Sequence, residues 1–246
     1  MGMADKSFFI DTTKCTACRG CQIACKQWHK NPATKTIQQG THQNPPDLSF
    51  FTYKLVRFSE FEEGEKTKWY FFADQCRHCM EPPCKATAES LGIKAITKDE
   101  ATGAVILSPK VKVKAADFQA IRESCPYDIP RWDEKVAGMA KCTMCIDRIK
   151  EGLLPACVKS CPTGAMNFGD REDMLERANK RLEEVKKVYK DTLLANPDDV
   201  RTIYLLADDP KKYHKFAVAE NNIGVTRKVA FKRLFQPLSG LRQIIG

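Results

Sequence analysis

The chain has 246 residues, 43% of them hydrophobic, with a formal charge of +9 at pH 7 and 12 cysteines. That length suits one large domain or two small ones, and no apolar run is long enough to cross a bilayer as a helix, which excludes a helical membrane-spanning protein. The first residues, MGMADKSFFID, lack the apolar stretch and cleavage site of a secretory signal, so no signal of its own is expected. Without a secretory context, clustered cysteines in a chain this long point to metal rather than to a disulfide framework.

In chain order, KSFFID (6–11) reads as a short strand and CQIACKQWHK (21–30) as a helix behind the first cysteine loop. Residues 31–50 form a polar, proline-containing loop. FTYKLVRFSEF (51–61) and KWYFFA (68–73) have strand composition on either side of the turn-like EEGEK. IKAITKDEATGAVILS (93–108) reads as a hairpin turning at Asp99–Gly103, and AADFQAIRES as a helix with Phe118 and Ile121 three apart on one face. AMNFGD is a strand, REDMLERANKRLEEVKKVYK (171–190) a helix with Asp170 as its N-cap, and VRTIYLLAD (200–208) a last strand. In the basic tail (225–246), Val229, Phe231, Leu234, Phe235 and Leu238 recur at helical spacing until Pro237 breaks the run. That tail could pack on its own domain, dock on a partner subunit or lie on a membrane surface.

The cysteines carry the chemistry. Cys15, Cys18, Cys21 and Cys25 follow C-x2-C-x2-C-x3-C, the bacterial ferredoxin spacing in which the fourth cysteine ligates the neighbouring cluster. Cys142, Cys145, Cys157 and Cys161, followed by Pro162, repeat it with a longer insert. The crossing rule assigns Cys15, Cys18, Cys21 and Cys161 to cluster A, and Cys142, Cys145, Cys157 and Cys25 to cluster B. Cys76, Cys79 and Cys84 begin a third run, but position 88 holds alanine. The lone Cys125, followed by Pro126, has Ala115, Phe118 and Ile121 where its run-mates would stand. Positions 88, 115, 118 and 121 together make the ligand set of one lost cluster, and Cys76, Cys79, Cys84 and Cys125 make a complete cluster C. The lost cluster's place is expected to be filled by those replacement side chains, because an empty cavity is costly.

Three [4Fe–4S] clusters are therefore expected, with no cysteine left over. Each oxidised cluster with its thiolates carries roughly −2, which would bring the chain to about +3. Zinc is the alternative occupant, although zinc sites usually pair two C-x2-C knuckles. His78 reads as an outward donor or a group behind the ligands, and Trp28 and His29 as packing residues. Lys14, Lys26, Lys85, Lys141 and Lys159 flank ligands and are candidates for raising cluster potentials or are simply solvated. The fold class is α+β, with two interleaved ferredoxin-like units and a helical C-terminal extension. Residues 1–72 and 137–170 form one unit, 73–136 an inserted unit, and 171–246 the extension. Neither G-x-G-x-x-G nor G-x4-G-K-[ST] occurs, and no nucleophile–base pair stands out.

The motifs CTACRGCQIACKQW, HQNPPDLS, QCRHCMEPPCK, SCPYDIPR and GLLPACVKSCPTGAMNFGD resemble the iron–sulfur β subunits of tungsten- or molybdenum-containing formate dehydrogenases, over about residues 6–215. The resemblance implies an electron-transfer subunit beside a molybdopterin catalytic α subunit, relaying electrons between formate/CO2 and a cytochrome or other acceptor. It implies no nucleic acid, and a periplasmic location reached by export folded with the catalytic partner, a cytoplasmic one being the alternative. The competing readings are an electron-transfer subunit of another molybdopterin oxidoreductase or a hydrogenase complex, and, more remotely, a metal-dependent nucleic-acid-binding protein using the +9 charge.

Overall fold

The structure, a computed structural model, describes residues 5–219 apart from position 109. The basic tail of residues 225–246 and its docking roles lie outside the described residues.

Strand β1 (Lys6–Asp11) is apolar and buried along nearly its whole length, as a strand covered on both faces must be. After a single 3-10 turn (Thr12–Lys14) and the first cysteine loop comes α1 (Gly20–Trp28). The loop that follows closes on Ser49 and Thr52, which bridge each other, so the next strand begins only at Leu55 rather than at residue 51. β2 (Leu55–Glu63) and β3 (Lys66–Asp74) form a long hairpin, turning at Gly64 with φ +64°; its base is buried and its tip exposed.

The middle of the chain builds α2 (Pro83–Ser90), the hairpin β4 (Ile96–Lys98) and β5 (Val105–Leu107), α3 (Ala115–Glu123), and the hairpin β6 (Arg131–Asp133) and β7 (Gly138–Ala140). At Gly103 in the first of these turns φ is +72°, and a Cβ there would collide with the Arg201 guanidinium, so only glycine fits. Two short helices, α4 (Ile146–Lys150) and α5 (Ala156–Lys159), carry the chain to β8 (Met166–Asp170) and the long α6 (Arg171–Lys186). Asp170 does occupy the N-cap position of α6, but its side chain makes no capping bond and pairs with Lys6 instead. β9 (Leu193–Leu194), β10 (Thr202–Leu206) and α7 (Pro210–Tyr213) complete the described chain.

The main sheet has the order β8-β1-β10-β9, with β1 antiparallel to β8 and parallel to β10. Segments set off along the sequence as an extension thus supply a central strand. Side chains alternate across the sheet. Phe9, Ile203 and Leu205 face α6, packing on Met174, Ala178 and Val185. Phe8, Ile10, Met166, Tyr204 and Leu206 face the other way, into a core shared with Cys21, Cys157, Val56 and Phe72. The sheet is the wall against which the first and last cysteine loops are packed.

A separate core lies within the middle segment: Cys84, Ala88, Ala95, Ile96, Val105, Leu107, Val113, Phe118, Ile121 and Met139. Ala88, Phe118 and Ile121 are buried together there, with Trp132 stacked on Phe118 at 6.1 Å between ring centroids. Three of the four substituted positions therefore meet in packed apolar side chains. Ala115 is the exception: it opens α3 on the exposed side and fills nothing.

Candidate functional site

Three C-x-x-C loops share one backbone solution. The residue before the second cysteine is left-handed in each: Ala17 (φ 53°), His78 (φ 47°) and Met144 (φ 61°). A non-glycine residue there costs about 1–2 kcal/mol, and the turn it makes brings the backbone N–H groups onto the first thiol. The N–H of His78 donates to Cys76 Sγ at 3.3 Å and that of Met144 to Cys142 Sγ at 3.4 Å, and the Ala17 N–H works against the burial that raises Cys15.

All twelve cysteines are free thiols. On α1, Cys21 and Cys25 are four residues apart and so project from one face. Cys21 nevertheless faces Cys18 and Cys161, while Cys25 faces Cys142, Cys157 and Cys145. Burial pushes the Cys25 thiol well up, and repulsion from those three sulfurs adds to it. Cys15 is raised by burial and by Cys21 and Cys161. Cys84, just inside α2, is pushed to about 12 and Cys125, just past α3, to about 11, chiefly by burial; Cys79 is raised by burial and then by Cys76, Cys125 and Cys84. These influences run along the expected sets, Cys21 with Cys18 and Cys161, Cys25 with Cys142, Cys145 and Cys157, and Cys79 with Cys76, Cys84 and Cys125, and they also cross them, from Cys76 to Cys142 and from Cys21 to Cys157. Cys161 behaves differently. Burial works to raise it, but the N–H groups of Met166, Thr163 and Ala165 and the Thr163 hydroxyl outweigh that and hold it below the ordinary thiol value.

Exposure separates the groups. All four thiols of the second are buried, whereas the first has Cys18 exposed and Cys15 and Cys161 half-buried. The third surrounds a pocket with about 320 Å3 of atom-free space, part of it open to solvent, closed by Pro82, Pro83, Ile129 and Lys141. Four thiolates on one zinc ion would each lie about 2.3 Å from it. Among the described residues no three His, Cys, Asp or Glu side chains close in to hold a single ion. Cysteines at ferredoxin spacings with N–H groups aimed at their sulfurs fit an iron–sulfur group.

The flanking residues sort themselves. His78 is not directed outward: it is wholly buried, and its Nδ1 accepts from the Val105 N–H at 3.0 Å, which leaves the proton on Nε2, an atom without a partner among the described residues. Burial, then the Lys141 and Arg201 charges, hold that ring well below its usual value. His29 and Trp28 act as ties rather than core packing, the first to Thr143 Oγ1 at 3.0 Å, the second to Asp147 Oδ2 at 2.8 Å with Arg148 over its ring. Of the five ligand-flanking lysines, Lys14 and Lys159 are exposed, Lys26 bonds Phe51 O at 3.1 Å and Lys85 pairs with Glu89. Lys141 alone is buried. Lys54 and Arg77, equally buried beside the thiols, are not legible as site residues; the only signal for Lys54 is a lone cation inside the strand-like run FTYKLVRF. Arg77 lies over the rings of Phe72, Tyr127 and Tyr204 and pairs with Asp74 at 2.9 Å.

A family model described as a 4Fe-4S dicluster domain matches residues 67–171. The formate dehydrogenase subunit beta of Megalodesulfovibrio gigas is 58% identical over 214 residues, spanning 87% of this chain and 99% of that protein. The formate dehydrogenase 2 subunit beta (cytochrome c-553) of Nitratidesulfovibrio vulgaris is 50% identical, over 86% of this chain and 98% of its own length. The formate dehydrogenase-O iron–sulfur subunit of Escherichia coli is 36% identical, over 94% and 77% respectively. With relatives this similar over most of their length, the chain belongs to the family of formate dehydrogenase iron–sulfur (beta) subunits, electron-transfer components that bind [4Fe–4S] clusters.

Proposed function

We propose that this chain holds three [4Fe–4S] clusters and connects a molybdopterin catalytic subunit, working on formate and CO2, with a cytochrome or similar acceptor. What supports the reading is the ferredoxin spacing of twelve free cysteines, together with the mutual influence of Cys25, Cys142, Cys145 and Cys157 and of Cys76, Cys79, Cys84 and Cys125 in the folded chain. Cys15, Cys18, Cys21 and Cys161 would hold cluster A; Cys25, Cys142, Cys145 and Cys157 cluster B; and Cys76, Cys79, Cys84 and Cys125 cluster C. When bound, such clusters supply reversible one-electron storage. The chain's own residues orient the thiolates, donate N–H bonds to them, and keep water away from set B.

The sets follow one another through the molecule. Cys157 of B feels Cys21 of A, and Cys142 of B feels Cys76 of C more strongly than it feels Cys145 of its own set. Set B is therefore the buried middle, and the partly exposed A and C are the faces offered to donor and acceptor. The cytochrome acceptor is suggested by the Nitratidesulfovibrio vulgaris relative, whose name carries cytochrome c-553. The family resemblance suggests a periplasmic chain, exported folded with its catalytic partner.

The test is iron and acid-labile sulfide per chain after anaerobic purification, with formate-dependent dye reduction by the native complex. About twelve of each with formate-driven reduction supports the reading. About eight, or a complex inert to formate, refutes it.

A further inference from the structure

Buried cations near the thiols divide into arginines paired with aspartate, Arg148, which bonds Leu154 O at 2.7 Å and lies over the Trp28 ring, and two lysines. Arg57, Arg77, Arg131 and Arg201 each meet an aspartate within 2.9 Å. Lys54 and Lys141, only 2% and 4% exposed, meet no carboxylate among the described residues. An ammonium buried without a counter-charge is strongly unfavourable. The compensating charge must therefore come from what surrounds it.

For Lys54, Nζ donates to Ala73 O at 3.2 Å and Gln75 Oε1 at 2.6 Å, both neutral. An ammonium has three donors, so one remains. Ala73, whose carbonyl takes one of those bonds, packs in one core with Cys21 of set A and Cys157 of set B. The groups acting on Lys54 are Cys21 and Cys157, then Tyr204, then Cys142 of set B. For Lys141, Nζ donates to Val105 O and to Cys142 O at 3.2 Å, and the side chain lines the pocket of Cys76, Cys79, Cys84 and Cys125. Its neighbours are Cys76 and Cys84 of set C and Cys142 of set B. One lysine thus stands between A and B, the other between B and C.

We propose that Lys54 and Lys141 are fixed positive charges at the two junctions of the relay, each raising the reduction potential of the clusters on both of its sides, so that B is raised by both. This rests on the ligand sets proposed above. Reduction adds an electron to a buried, already negative group, and a cation nearby favours the reduced form most where screening by water is weakest. Lysine suits the position because its compact ammonium reaches between two sets while bonding neutral carbonyls.

The test is an EPR-monitored redox titration of the anaerobically purified full chain, wild type beside Lys54→Met, Lys54→Gln, Lys54→Arg and the same three changes at Lys141. Signals are assigned to A, B and C by their loss in Cys161→Ala, Cys157→Ala and Cys125→Ala. Neutral residues at 54 are expected to lower the potentials of A and B and leave C unchanged; at 141 they lower B and C and leave A. The expected shift is a tenfold or larger fall in the reduced-to-oxidised ratio at fixed potential, about 59 mV for a one-electron couple. The arginine variants stay near wild type. If the methionine variants fail to load, the glutamine and arginine pair carries the comparison. Unmoved potentials, or equal shifts in all three centres, overturn the proposal. An iron count other than about twelve in the wild type strikes the ligand sets instead.

Discussion

On the three-cluster reading proposed above, the packed side chains between α2 and α3 occupy the place of a fourth cluster, and Ile121→Ala tests that idea. Ile121 is 0% exposed and packs in a core with Ala88, Phe118, Leu107 and Met139. The substitution removes three carbons, worth about 2.4 kcal/mol at ~0.8 kcal/mol each. The cavity left behind adds to that loss, giving about 3–4 kcal/mol, inside the usual range for such truncations. Cluster-bearing proteins do not unfold in a two-state manner, so the assay is native-state hydrogen exchange of the α3 amides and of the Cys125 N–H, which bonds Arg122 O at 3.0 Å. Protection should fall by about two to three powers of ten. Ala115→Ser is the control, since an exposed position should change stability by less than about 0.5 kcal/mol. Less than a tenfold loss for Ile121→Ala, or an equal loss for Ala115→Ser, would refute the idea that the lost cluster's place has become core.

Removing a single ligand should act on one set alone. Cys161→Ala is expected to lower iron from about twelve to about eight per chain while the B and C signals persist, as iron analysis with EPR would show; loss of all iron would contradict independent sets. Arg77→Met leaves Asp74 with only Arg57 and strips a guanidinium from three aromatic rings. A loss of about 3 kcal/mol is expected, read as a lower thermal midpoint, and an unchanged midpoint would count against the buried pair. The His214 ring, against Phe72, is held at about 4, below its ordinary 6.5, by burial, with Asp74 opposing. The unfolded chain takes up that proton below 6.5 while the folded chain does not until about 4, so this contribution is complete above 6.5 and is lost as pH falls between the two values. After allowance for screening of a partly exposed ring the loss is about 2 kcal/mol. Comparing acid unfolding of wild type and His214→Phe isolates it from the acid lability of the clusters, and parallel curves would exclude it.

Much of the site was legible because its information is local. Ligand spacing, the hairpin turning between Asp99 and Gly103, and the helix carrying Phe118 and Ile121 all depend on residues a few positions apart. Expectations went astray where a side chain's partner was distant. Asp170 turned from capping its own helix to Lys6, and Ala115 shared the lost-cluster pattern but not its location. For His78 the fold decided between two expectations: with Val105 folded onto it, the ring lies behind the ligands rather than facing outward.

The sequence by itself determined the kind of chemistry: twelve thiols at ferredoxin spacings, one set of ligands replaced by small and apolar residues, and motifs of the formate dehydrogenase β subunits. Tertiary structure decided what surrounds those thiols. The parallel pairing of β1 with β10 joins Phe8 to Thr202, and no local pattern encodes a register across such a separation. The same closure buries Lys54 and Lys141 among sulfurs contributed by distant loops. A lysine's charge is written in the sequence, but its strength depends on the water excluded around it, which only the folded chain sets.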